Sequence, residues 1–127
     1  MILLDTHIWI WWRLGSERLR PALGRRIDRT PAERRFVSTM SLWETAQLVT
    51  ADRAHVPGDL EAWLGEPAGT TAVGVDAAIA AAAADLPGSF HRDPMDQLIV
   101  ATARVRSLKL VTVDARILAY PHVETVG

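Results

Sequence analysis

Three short apolar runs constrain this chain most: residues 2–4 (Ile-Leu-Leu), 35–39 (Arg-Phe-Val-Ser-Thr) and 109–113 (Lys-Leu-Val-Thr-Val). They are too brief for helices and rich in branched side chains, so they are expected to be strands, with weaker candidates at 71–75 and 123–126. Helical stretches fall between them at 7–14, 17–28, 42–51, 59–64, 76–86 and 94–107. Gly15 stops the first, Pro21 kinks or restarts the second, and Pro87-Gly88 ends the fifth. Apolar strands taking turns with helices predict a mainly parallel sheet covered on both faces, a three-layer α/β/α architecture of the α/β class. The 127 residues show no repeat and no linker, so residues 1–127 are expected to form a single domain.

The chain has no cysteine, which excludes disulfides, zinc–thiolate and iron–sulfur sites and a thiol nucleophile. Any metal must be held by oxygen or imidazole. The opening MILLDTHIWIWW has no basic leader and is broken by Asp5 and His7, so neither a signal peptide nor a membrane span fits, and a cytoplasmic protein is expected. Net charge is −1, but residues 1–35 hold eight arginines against four acids while the rest holds six bases against eleven acids. Near neutrality argues against indiscriminate coating of nucleic acid; the arginine-rich part still allows local attraction of a phosphate backbone.

Acids fall where a parallel sheet places its ligand crevice, at the carboxyl ends of strands. Asp5 follows 2–4, Asp114 follows 109–113, and Glu44 lies five residues past Thr39. Asp93-Pro-Met-Asp96 opens the helix at 94–107. Each has a capping explanation. Ser41-Leu-Trp-Glu44 fits a capping box with Ser41 as N-cap; Asp93 fits an N-cap before Pro94; Asp5 fits a cap and Asp114-Ala-Arg a turn. Magnitudes weigh against capping alone for the set. A first-turn acid gains about 0.3–1 kcal/mol from the helix dipole, whereas two carboxylates about 4 Å apart repel by about 4 kcal/mol at an effective dielectric near 20. The acids must therefore stay apart, take up protons or share a divalent cation, and oxygen donors suit Mg²⁺ or Mn²⁺.

The segments Leu3-Leu4-Asp5-Thr6-His7, Ser41-Leu-Trp-Glu44, 91–103 with Asp93-Pro-Met-Asp96, and Leu110-Val-Thr-Val-Asp114 resemble, in order, the four acidic motifs of PIN-domain ribonucleases, specifically VapC toxins of toxin–antitoxin pairs. The resemblance spans essentially the whole chain. It implies a PIN-like fold and a Mg²⁺- or Mn²⁺-dependent endoribonuclease directed at single strands in a structured RNA such as tRNA or rRNA. It also implies a homodimer neutralised by a small antitoxin, with no membrane. Asp5, Glu44, Asp96 and Asp114 match the metal-binding, catalytic acids; Thr112 matches a nearby hydroxyl; Asp93, Ser41 and Thr6 are supporting residues. Gln97 stands where many relatives have arginine.

Five tryptophans exceed what one small core needs. Trp9 and Trp12 share a helical face and Trp11 points away from it, so this region is expected to meet a partner, the antitoxin by resemblance. His7, His91, Arg13, Arg92 and Arg116 lie near motif ends, where phosphate contacts or solvated surface roles are both open. The alanine run at 80–84 is expected to be a closely packed helix without chemistry. Two rivals remain. One is a noncatalytic protein-binding module whose acids dock an Arg-bearing partner. The other is a phosphotransfer receiver or phosphatase, disfavoured because the single lysine, Lys109, sits inside a strand candidate.

Overall fold

The computed structural model describes residues 1–65 and 69–127. Five strands form one sheet in the order β3-β2-β1-β4-β5: β1 is Ile2–Leu4, β2 Arg35–Ser38, β3 Thr71–Val73, β4 Lys109–Val111 and β5 Thr125–Val126. All neighbours are parallel, and Leu3 lies level with Phe36 on one side and Leu110 on the other. Among the described residues the helices are α1 Thr6–Leu14, α2 Pro21–Arg29, α3 Thr39–Thr50, α4 Leu60–Gly65, α5 Ala77–Ala84, α6 Pro94–Arg106 and α7 Ala115–Leu118, with a 3₁₀ turn at Ala32–Arg34.

The alternation of side chains along β1 divides the core between two layers. Ile2 and Leu4 join Ile8 and Trp9 of α1, Leu23 and Ile27 of α2, Val37 and Val111. Leu3 faces the other way, into Ile99, Val100 and Ala103 of α6, Leu110, Ile117 and Tyr120. Burial on both faces explains why β1 carries no polar residue, and burying each of its leucines contributes about 1.5–3 kcal/mol. Helices α5 and α6 meet through Ile79, Ala83 and Ala101, the two alanines letting the backbones approach. The three-layer expectation is thus met.

Several boundaries move. Helix α2 starts at Pro21 instead of residue 17, because proline loses nothing at the first helical position. Helix α3 starts at Thr39, three residues before the predicted start: the Ser38 hydroxyl accepts from the Met40 N–H at 3.1 Å and is the cap. Ser41 is therefore not an N-cap but a buried residue within the helix. The segment after Asp114, expected as a turn, continues into α7. No helix is long and apolar enough to cross a membrane among the described residues.

Topology also places the ligand crevice. From β1 the chain proceeds to β2 and β3 on one side and returns to β4 on the other, so strand order reverses between β1 and β4. Crevices form beyond the carboxyl ends at such a reversal. Asp5 and Asp114 follow these two strands.

Candidate active site at the sheet edge

Asp5 is fixed by the strands and helix it joins. Its N–H donates to Val111 C=O (3.0 Å). One carboxylate oxygen accepts from the Thr6 N–H (2.9 Å), capping α1, and the other from the Thr112 hydroxyl (2.7 Å). The Thr112 oxygen in turn accepts from the Asp114 N–H (3.1 Å), so one buried hydroxyl ties the two acids to the end of β4. The Thr6 hydroxyl donates to the Ser41 hydroxyl (2.9 Å), locking α1 against α3, the helix that carries Glu44. Thr6, Ser41 and Thr112 thus hold the frame without reaching solvent.

Helix α6 brings Asp96. Asp93 caps it, accepting from the N–H groups of Met95 (2.9 Å) and Asp96 (3.4 Å). Asp96 shares an oxygen between His91 Nε2 (2.6 Å) and Arg116 (3.5 Å). Arg116 also reaches Asp114 (3.4 Å), whose other oxygen caps α7. Gln97 donates to the His91 carbonyl (3.3 Å), which helps place that imidazole.

Asp5, Glu44, Asp93, Asp96 and Asp114 all line one cleft of about 570 Å³, together with His7, Ile8, Trp11, Arg18, Arg53, Val113 and Arg116. Burial raises the Asp5 pKa above its ordinary value, the Thr112 and Thr6 hydrogen bonds oppose this, and the charge of Glu44 adds to it. Burial likewise raises Asp96 against the pull of His91, with repulsion from Asp93, Asp5 and Asp114 adding. Asp114 goes the other way: its burial is outweighed by Arg116 and two backbone N–H groups, leaving its pKa lowered. Residues far apart in sequence therefore feel one another's charge across a single cleft.

They do not crowd as tightly as expected. No three Asp, Glu or His side chains form a metal-binding group among the described residues. Repulsion between carboxylates is relieved here by separate donors, Thr112 for Asp5, His91 and Arg116 for Asp96, and the α7 amides for Asp114. The donor set fits a hard divalent cation, being oxygen-rich, lined along one cleft and including two acids whose charge the fold disfavours.

Of the other predicted residues, Arg116 reaches the acids while Arg13 and Arg92 do not. Arg13 stacks 3.6 Å from the Trp63 ring and donates to the Trp63 carbonyl (2.7 Å). Arg92 lines a separate surface pocket with Gln97. Trp9 is fully buried against Trp63, so it is not available to a partner, whereas Trp43 is 53% exposed. Arg18 and Arg53 were not singled out from sequence, since loop arginines after a helix carry no local signal.

A PIN domain family model matches residues 2–123. The chain is 35% identical over 122 residues to Ribonuclease VapC22 of Mycobacterium tuberculosis, spanning 95% of this chain and 92% of that protein. Similar solved structures include a toxin–antitoxin complex from Klebsiella pneumoniae (TM-score 0.72, 17% identity, 100% of this chain and 97% of that one). Others are FitAcB from Neisseria gonorrhoeae (0.68, 22%, 100% and 97%) and DNA-bound VapBC from Salmonella typhimurium (0.69, 20%, 99% and 98%). At these identities the structures show the shared fold; the family match and the VapC relative, each covering nearly the whole chain, show that this chain belongs to the PIN-domain family, among its VapC-type ribonucleases.

Proposed function

We propose that this chain is a divalent-cation-dependent endoribonuclease, the toxin of a toxin–antitoxin pair, acting on single-stranded parts of a structured cellular RNA. The observation that carries the reading is the convergence of Asp5, Glu44, Asp96 and Asp114 on one cleft at the strand-order reversal. These four acids would hold Mg²⁺ or Mn²⁺. Such an ion supplies polarisation of the phosphoryl oxygen, a nucleophile from water at neutral pH and stabilisation of the leaving oxygen. Asp5 offers a rigid donor, its orientation set by Thr6 and Thr112. Asp93 sets the start of α6 and so the position of Asp96. His91 holds one oxygen of Asp96 and so orients the carboxylate that would meet the cation.

A small antitoxin and a homodimeric state accompany this reading. The solved neighbours include a toxin–antitoxin complex and a DNA-bound VapBC, and the partly exposed Trp11 and Trp12 of α1 remain available to a partner. The docking-module rival has one point in its favour, that Arg116 already lies against Asp96 and Asp114. The VapC relative is nevertheless a ribonuclease. Cleavage of total RNA in Mn²⁺ by the purified chain, compared with Asp96→Asn, decides between them: activity lost in the variant supports catalysis, and equal activity in both sinks the assignment.

A further inference from the structure

Beside the acidic cleft lies a second hollow of about 540 Å³, lined by His7, Ile10, Trp11, Leu14, Leu48 and the guanidinium-bearing Arg18 and Arg53, among others. His7, Trp11, Arg18 and Arg53 line both hollows, so the two form a continuous trough with carboxylates at one end and arginines with aromatic rings at the other. Arg18 and Arg53 are exposed, and neither guanidinium makes an ion pair or hydrogen bond with a described residue. Neither forms an ion pair with Asp5 or Glu44 of the adjoining cleft, although Arg116 does pair with acids there. His7 and Trp11 stand one helical turn apart with ring centroids 5.8 Å apart and planes tilted by 53°. At the far end Asp52 is engaged with His55 (3.6 Å).

We infer that this hollow is a nucleotide subsite, with Trp11, supported by His7, as a stacking face for one base of the RNA, and with Arg18 and Arg53 as contacts for a phosphate adjoining the one that is cut. The inference rests on the ribonuclease reading and names where its substrate lies. Two unpaired guanidinium groups offer forked donors that suit phosphate oxygens. An aromatic ring beside them accepts any base, since every base has a π-face. The division of charge along the trough orients the strand: its scissile phosphate goes to the acids, where a cation offsets their charge, and its neighbour to the arginines.

The test uses the full chain in Ca²⁺, an oxygen-seeking ion that offsets the charge of the acids but activates bound water far less than Mn²⁺, so that binding is read without cleavage. The fluorescence anisotropy of a labelled oligouridine of about ten nucleotides is followed across a salt series. The unsubstituted protein is expected to bind. The double variant Arg18→Ala/Arg53→Ala is expected to bind more weakly, with a log–log salt slope shallower by about 0.7, the loss of one phosphate contact on a single strand. Trp11→Leu should weaken binding about tenfold or more, and Trp11→Phe should restore most of it because a ring returns. Thermal melts confirm that the variants fold; both arginines are exposed, so their pair keeps the test decisive even if Trp11→Leu unfolds. Absence of binding by the unsubstituted protein overturns the inference, as does an arginine pair with unchanged affinity and slope, which would leave the hollow to another occupant such as a peptide. Cleavage by Asp96→Asn is scored separately in Mn²⁺, so the ribonuclease reading and the subsite can fail independently.

Discussion

Asp5 and Asp96 carry their charge where the fold disfavours it, and the sign of the consequence follows from linkage. Both pKa values are raised above 3.8. Their contribution to stability is therefore fully present below that value and is lost as pH rises through the folded-state values. Asp114, lowered by its partners, contributes above the unfolded value and loses that contribution only in stronger acid. Metal-free protein should accordingly lose part of its stability as pH rises from 3.8 through the folded-state values of Asp5 and Asp96, and Asp96→Asn should lessen that loss; calorimetry from acid to neutral pH checks it. The same substitution should lower RNA cleavage by more than about 100-fold while circular dichroism stays unchanged. Removing the hydroxyl that joins Asp5 to Asp114, in Thr112→Val, should cost about 10–100-fold in activity or cation affinity, the usual effect of losing a group that orients a metal-binding acid. A melt of that variant would show whether the loss is local.

At the scale of elements, helix ends decide where the acids point. Asp5, Asp93 and Asp114 are all N-caps, so the residues that start three helices also line the cleft. Asp93→Ala should cost about 1 kcal/mol of stability through the lost cap of α6, read from denaturant unfolding, with a further loss of activity because Asp96 sits on that first turn. At the other end of α6, Ser107 adopts φ 55°, a left-handed conformation awkward for a side chain. Ser107→Gly should then stabilise by up to about 1 kcal/mol, checked by the same measurement. The central strands, α6 and its cap were legible because apolar runs and the Asp-Pro pair act locally. Ser41 was not: its spacing to Glu44 fits a capping box, yet Ser38 lies closer to the strand end and takes the cap, which leaves Ser41 to meet Thr6 across the interior. Likewise no local pattern announces that Arg116 crosses to Asp96, since that contact exists only once α6 and α7 pack beside each other.

Across the whole molecule, cation binding should couple to folding. A ligand that binds only the folded state stabilises it by about 2.7 kcal/mol at a hundredfold excess over its dissociation constant. Mn²⁺ should therefore raise the melting temperature, and by more at neutral than at acidic pH, where protons compete for Asp5 and Asp96. A metal series by scanning fluorimetry reads both, and identical shifts at the two pH values would contradict the shared-cleft account. The position of β1 has a consequence for synthesis. Its leucines pair with β4, more than a hundred residues later, so the middle of the sheet stays open on one side until Lys109–Val111 has emerged from the ribosome. Asp5 meets Thr112 only at that moment. A nascent chain halted before residue 109 should neither melt cooperatively nor cut RNA, because translation must first supply the strand that closes the sheet beside Asp5.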